Sequence, residues 1–149
     1  KSLIFETRFH DADNLVSEVK PNLLKFDKLK DIAKTIQEEI TATDALKNYA
    51  LNLWKATKSP ADYGIKIPDL DMNRLMISGS SPRGMMMMMR AARVNAWLND
   101  RTSVIPADIH AVFHETLAHR LVFNPIYEMR RTVIARDLTN GILNVINAP

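Results

Sequence analysis

The chain has 149 residues, 46% of them hydrophobic and 25% charged, with a formal net charge of +3 and no cysteine. That length fits one globular domain with a real core, and the lack of cysteine excludes a disulfide framework and a thiolate metal site. No apolar run approaches the ~20 residues of a membrane span, and the mild positive charge permits an anionic partner without requiring nucleic acid.

The chain begins at Lys1 rather than Met and shows no signal-peptide pattern, so it reads as a piece of a longer protein. A cysteine-free composition is compatible with the cytoplasm, the expected location. Residues 1–14 read as irregular, with Leu3-Ile-Phe5 a short extended piece and Asp11-Ala-Asp-Asn14 a turn. After Pro21 and Asn22 a helical period sets in. Leu29, Ile32, Ala33, Ile36 and Ile40 recur at three- and four-residue steps, which predicts an amphipathic helix over 25–39.

Thr41 and Thr43 are two candidate caps for a second helix, 43–57. Its apolar stripe is Leu46, Tyr49, Ala50, Leu53, Trp54 and Thr57, and Lys58-Ser-Pro60 stops it. The aromatics there read as core, with ligand stacking the alternative. Residues 61–74 hold Gly64, Pro68 and Asp69-Leu-Asp71 and read as an exposed loop. A connection of that length is itself functional or leads to something functional.

What it leads to is Ile77-Ser-Gly-Ser-Ser-Pro-Arg-Gly84. Ser80 and Ser81 both suit a helix cap, and Pro82 suits the first helical position. Arg83 then falls in the first turn, where the helix dipole disfavours a cation by roughly 0.3–1 kcal/mol. A cation beside exposed N–H donors makes a receptor for an anion such as phosphate. The plain alternative is a surface arginine.

The third helix spans 82–98. Met85 to Met89 cover every side of it, so they cannot all be core. Such a helix lies between layers or keeps one side for another domain or subunit. Consecutive methionines point about 100° apart and do not converge on one ion. Asn99-Asp-Arg-Thr102 reads as a turn, and Ser103-Val-Ile105 as a short extended link. Pro106 opens a fourth helix, 106–118, with Asp108 favourable in its first turn. His110 and His114 stand one turn apart beside Glu115, but no third ligand accompanies them, and they read as half-exposed structural histidines. A basic pair, Arg130-Arg131, precedes a last helix over 132–145.

The four glycines fit neither a phosphate-binding loop nor a dinucleotide fingerprint. No Ser-His-Asp or Cys-His arrangement assembles, and no metal site is assigned. The expected fold is mainly α, a small helical bundle. At most it carries a minor β pairing between the segments around Leu75–Ile77 and Ser103–Ile105.

Several motifs then come together. Gly79-Ser-Ser-Pro-Arg83, Arg90-Ala-Ala-Arg93, Asn99-Asp-Arg101 with Val104-Ile-Pro-Ala-Asp108, and His119-Arg-Leu121 resemble the lid domain of MoxR-type AAA+ ATPases. The helix ending Ala56-Thr-Lys58 resembles the family's upstream Tyr…Ala-Thr-Arg helix. The likeness runs from about Asn22 to the closing Ala-Pro in the family's order. Asn99 replaces the usual Gly, Ile105 stands where a Ser/Thr cap commonly precedes the proline, and the methionine run replaces Leu/Ala. None of these departures touches Arg83.

The resemblance implies that residues 1–21 are a linker or the tail of a preceding nucleotide-binding core and that 22–149 are the lid. It implies that Arg83 is the sensor-2 arginine near the γ-phosphate of ATP, with Ser81 and Pro82 forming the helix start at the nucleotide. It further implies ATP and Mg²⁺ in the full-length parent, a hexameric ring of neighbouring subunits, and chaperone-like assembly or cofactor-insertion work. The implied partner carries a von Willebrand factor A domain. Whether Arg83 serves its own or a neighbouring subunit's nucleotide stays open. The fragment alone lacks the phosphate loop and metal-binding acids, so it is expected neither to hydrolyse ATP nor to bind it tightly.

Two other classes compete. A DNA-binding module is suggested by the positive charge, although the link of roughly seven residues between the third and fourth helices exceeds a helix-turn-helix turn. A structural interaction domain would use the methionine-rich helix as its docking face and would make Arg83 dispensable.

Overall fold

All five predicted helices form, with boundaries within a few residues of the sequence pattern. The computed structural model describes Thr7, residues 11–19 and residues 25–149. These fall into two units, residues 1–34 and 35–149. In the first unit Ala12–Glu18 forms helix α1, started by the Asp11 carboxylate, which accepts the Asp13 N–H at 3.1 Å. The Asp11–Asn14 turn is thus the head of a helix, because one side-chain bond serves an Asx turn and a helix start alike. Leu3–Phe5, Pro21 and Asn22 lie outside the described residues.

A 3₁₀ turn, Phe26–Lys28, leads into α2, Leu29–Glu39, whose C-terminal part enters the second unit. Helix α3, Asp44–Ala56, is capped by Thr43, whose hydroxyl accepts the Leu46 N–H at 3.2 Å. Thr41 is spent differently. Its N–H donates to the Thr102 carbonyl at 3.0 Å and its carbonyl accepts the Val104 N–H at 2.9 Å.

Residues 61–74 are largely exposed, as expected, but they are not an irregular loop throughout. Pro60–Tyr63 form a 3₁₀ turn, Met72–Leu75 form the short helix α4, and Ile65, Ile67 and Leu75 are buried. The Pro, Gly and Asp residues make the bends, while the isoleucines between them reach the core. Strand β1, Met76–Ser78, pairs antiparallel with β2, Val122–Phe123. The partner is therefore not Ser103–Ile105, whose neighbouring backbone groups bond to Thr41 instead.

Helices α5, Pro82–Leu98, and α6, Pro106–Leu117, make the most extensive pairing, and α7, Arg131–Val145, completes the bundle. On α5 the buried positions Gly84, Met88, Ala92 and Ala96 recur every four residues, a ridge in which the small Gly84, Ala92 and Ala96 let α6 approach closely while Met88 fills the space between them. Across it α6 buries Ile109, Phe113 and Leu117, and α7 buries Ile134, Leu138 and Ile142. Of the methionine run only Met88 is fully buried, while Met86 is 65% and Met87 41% exposed.

The turn between α5 and α6 is locked by Asp108. Its wholly buried carboxylate receives both Arg101 Nη groups, the Asn95 amide at 2.7 Å and the Ile105 N–H at 2.9 Å. Ile105 has no side-chain oxygen to cap α6, so Asp108 reaches back to serve its N–H.

Candidate functional site

The start of α5 is held from three directions. Ser81 is the cap, with extended φ/ψ of −70° and 164°, and its hydroxyl accepts the Gly84 N–H at 3.4 Å. Pro82 follows at the first helical position. Ser80 is wholly buried, and its N–H donates to the Thr57 hydroxyl at 3.1 Å. That hydroxyl in turn donates to the Trp54 carbonyl at 2.7 Å. The Trp54 indole N–H donates to the Ser80 carbonyl at 2.8 Å and to the Ser81 carbonyl at 3.3 Å.

Two glycines permit this closeness. A Cβ on Gly79 would lie 2.5 Å from the Thr57 carbonyl oxygen, and one on Gly84 would lie 2.0 Å from Ser80 Oγ. No other residue fits either position without a shift of the backbone or of a buried hydroxyl.

Arg83 is exposed and makes no hydrogen bond or ion pair with the described residues. Two further cations border the same helix start. Lys58 Nζ lies 3.9 Å from the centroid of the Trp54 ring. Arg120 Cδ lies 3.0 Å from where a Gly84 Cβ would be, with its Nε donating to the Thr116 carbonyl at 3.1 Å. Positive charge is thus gathered where the helix dipole is already positive, an arrangement that an anion stabilises.

The other candidate residues have structural partners. Arg93 Nε donates to the Ile40 carbonyl at 3.1 Å, which joins α5 to the end of α2. His110 Nε2 lies 2.7 Å from the Tyr49 hydroxyl, and His114 Nδ1 lies 2.9 Å from the Thr139 hydroxyl. Burial pushes the Tyr49 phenol above its ordinary pKa. Arg131 Nη2 donates to the Leu121 carbonyl at 3.1 Å, and its Nη1 pairs with Glu128 at 3.1 Å. A groove of about 510 Å³ lies at the far end of α5, bordered by Glu39, Trp97, Leu98 and Arg101. It lies at the opposite end of α5 from Arg83.

Ser81, Pro82 and Arg83, the residues expected from the sequence, stand at one helix start. What holds them is not foreseen, because Trp54 and Thr57 read as part of an apolar stripe, with ligand stacking the alternative for the aromatics. The contacts of Trp54 and Thr57 span more than twenty residues of sequence, a range at which local patterns carry no signal. Helix α6 contains no lysine or arginine, so it lacks the basic stripe of a helix that reads DNA.

Residues 73–138 match the family model for the AAA lid domain. The whole chain is 44% identical over 149 residues to Protein MoxR of Methylorubrum extorquens and spans 43% of that protein. It is 38% identical over 148 residues to Protein MoxR of Paracoccus denitrificans, where 99% of this chain covers 44% of that one. The chain is thus similar over its whole length to MoxR-type AAA+ proteins, and over residues 73–138 to the AAA lid domain. A crystal structure of a candidate ATPase from Cytophaga hutchinsonii superposes with a TM-score of 0.74 at 25% identity, covering 93% of this chain and 44% of that one. The chain therefore spans under half the length of the MoxR relatives it matches. Among the described residues, no helix is long and apolar enough to cross a membrane.

Proposed function

We propose that this chain is the sensor-2 lid of a MoxR-type AAA+ ATPase, with Arg83 contacting the γ-phosphate of ATP held by a nucleotide-binding core outside it. Residues 1–21 are the tail of that core and 22–149 the lid. The observation that carries the reading is Arg83 itself: exposed, without a hydrogen-bond or ion-pair partner among the described residues, and placed in the first turn of a 17-residue helix whose start is clamped to α3.

Phosphoryl transfer asks the protein to position groups and to offset charge developing on the equatorial oxygens. The guanidinium of Arg83 supplies a planar fork for that charge, and the free N–H groups of the first turn of α5 add to it. Among the described residues no three His, Asp or Glu side chains are gathered to hold a metal. Magnesium, which the family implies, is in this reading held by the core. In this reading the rigid bundle moves as one body when nucleotide is bound or hydrolysed. That motion is coupled to chaperone-like assembly or cofactor insertion within a hexameric ring, with a von Willebrand factor A domain protein as partner and the cytoplasm as setting.

The test is Arg83→Ala and Arg83→Lys in the full-length protein, assayed for melting temperature, nucleotide affinity and turnover. The alanine variant folds but hydrolyses more slowly, by less than the ~10³-fold of an arginine finger, and lysine rescues only in part. Unchanged affinity together with unchanged turnover in the alanine variant refutes the sensor role.

A further inference from the structure

An ordinary helix cap needs one side chain, and Ser81 already serves the Gly84 N–H. Residues 80 and 81 are nevertheless tied a second time, to the last turn of α3. The Trp54 indole N–H bonds to the Ser80 carbonyl at 2.8 Å, and the Thr57 hydroxyl accepts the Ser80 N–H at 3.1 Å. Thr57 and Ser80 are wholly buried, so water does not compete for the second bond. What this adds is direction. The pair of bonds grips Ser80 by both its N–H and its carbonyl, which fixes the plane from which α5 sets out. Arg83 stands three residues on, and its Cα–Cβ bond inherits its heading from that first turn.

We infer that Trp54 is a positioning residue for Arg83, its indole N–H holding Ser80 so that the guanidinium is presented in one direction. The inference rests on the sensor reading of Arg83. It concerns the N–H rather than the ring. The Trp54 ring is only half-buried and stacks under Lys58 Nζ at 3.9 Å, a packing role that another aromatic ring fills. Trp54→Phe therefore removes the hydrogen bond and keeps most of the packing.

The experiment is a cycle in the full-length protein of Trp54→Phe, Arg83→Ala and the double variant, read by melting temperature, KM for ATP and turnover. Trp54→Phe leaves the melting temperature near that of the parent and lowers kcat by on the order of tenfold, inside the ~10²-fold that about 1 Å of misplacement costs. In the Arg83→Ala background the same substitution adds no more than about twofold, the scatter of independent sites. Parental turnover in Trp54→Phe, or an equal loss in both backgrounds, overturns the inference. A Trp54→Phe protein that does not fold also overturns it, because the N–H would then be holding the fold. A silent Arg83→Ala brings down the sensor reading and this inference together. An Arg83→Ala that slows turnover, with additive Trp54→Phe, brings down this one alone.

Discussion

Asp108 and Arg101 meet through two hydrogen bonds, 2.5 and 2.6 Å long, with the carboxylate wholly buried and the guanidinium 30% exposed. The pair closes the turn between α5 and α6, so the angle of the helix that carries Arg83 depends on it. Burial alone would raise the Asp108 pKa. The Arg101 fork, the Ile105 N–H and the Asn95 amide outweigh it and hold the carboxyl below the usual carboxylate range.

A folded pKa below the unfolded value of about 3.9 has a definite sign. The stabilisation is complete above the unfolded pKa and is lost as pH falls through the lowered folded value. Asp108→Asn should cost about 2–3 kcal/mol near pH 7, the scale of hydrogen bonds to a charged group. The difference from the parent should shrink below about pH 4. Urea melts of both proteins from pH 7 to pH 3 measure this, and a constant difference throughout would contradict it.

Gly79→Ala should destabilise by about 2–3 kcal/mol, the range of forced overpacking. The added methyl would meet the Thr57 carbonyl and the Lys58 backbone, neither of which rotates away. Calorimetry checks it, and a variant as stable as the parent would mean that the loop relaxes freely.

Within the methionine run, position decides outcome. Met88→Ala should cost about 2–5 kcal/mol through lost burial and a residual cavity. Met86→Ala, 65% exposed in the parent, should stay within about 0.5 kcal/mol. Denaturant midpoints compare the two directly.

Arg83→Ala should leave stability unchanged or raise it by roughly 0.3–1 kcal/mol, because the cation stands at the positive end of the dipole and makes no hydrogen bond or ion pair with the described residues. A clear fall in melting temperature would assign Arg83 a structural role.

The readable parts of this chain are those whose cause is local. Ser81-Pro82 announces the start of α5 because a cap and an N1 proline act within four residues. The stripe from Leu46 to Leu53 announces α3 because helical period is local too. Ile65 and Ile67 were hidden by the Pro, Gly and Asp residues around them, since two apolar residues make no period. Val122–Phe123 is too short to show strand alternation, and its partner β1 lies more than forty residues upstream. The candidate site divides the same way. Arg83 was legible from its helix start, whereas Trp54, 26 residues from Ser80, was visible only once the chain had folded.

The graded burial of Met85 to Met89 bears on chemistry that packing alone does not touch. A thioether turns polar and chiral on conversion to the sulfoxide, and access to oxidant governs how fast. Met86 and Met87 stand open to solvent, while Met88 faces the α6 interface with no exposed surface. Dilute peroxide would therefore mark the outer side of α5 and spare its inner side. Five identical side chains in a row would become a record of how tightly the bundle stays shut, and the appearance of sulfoxide at Met88 would time its opening.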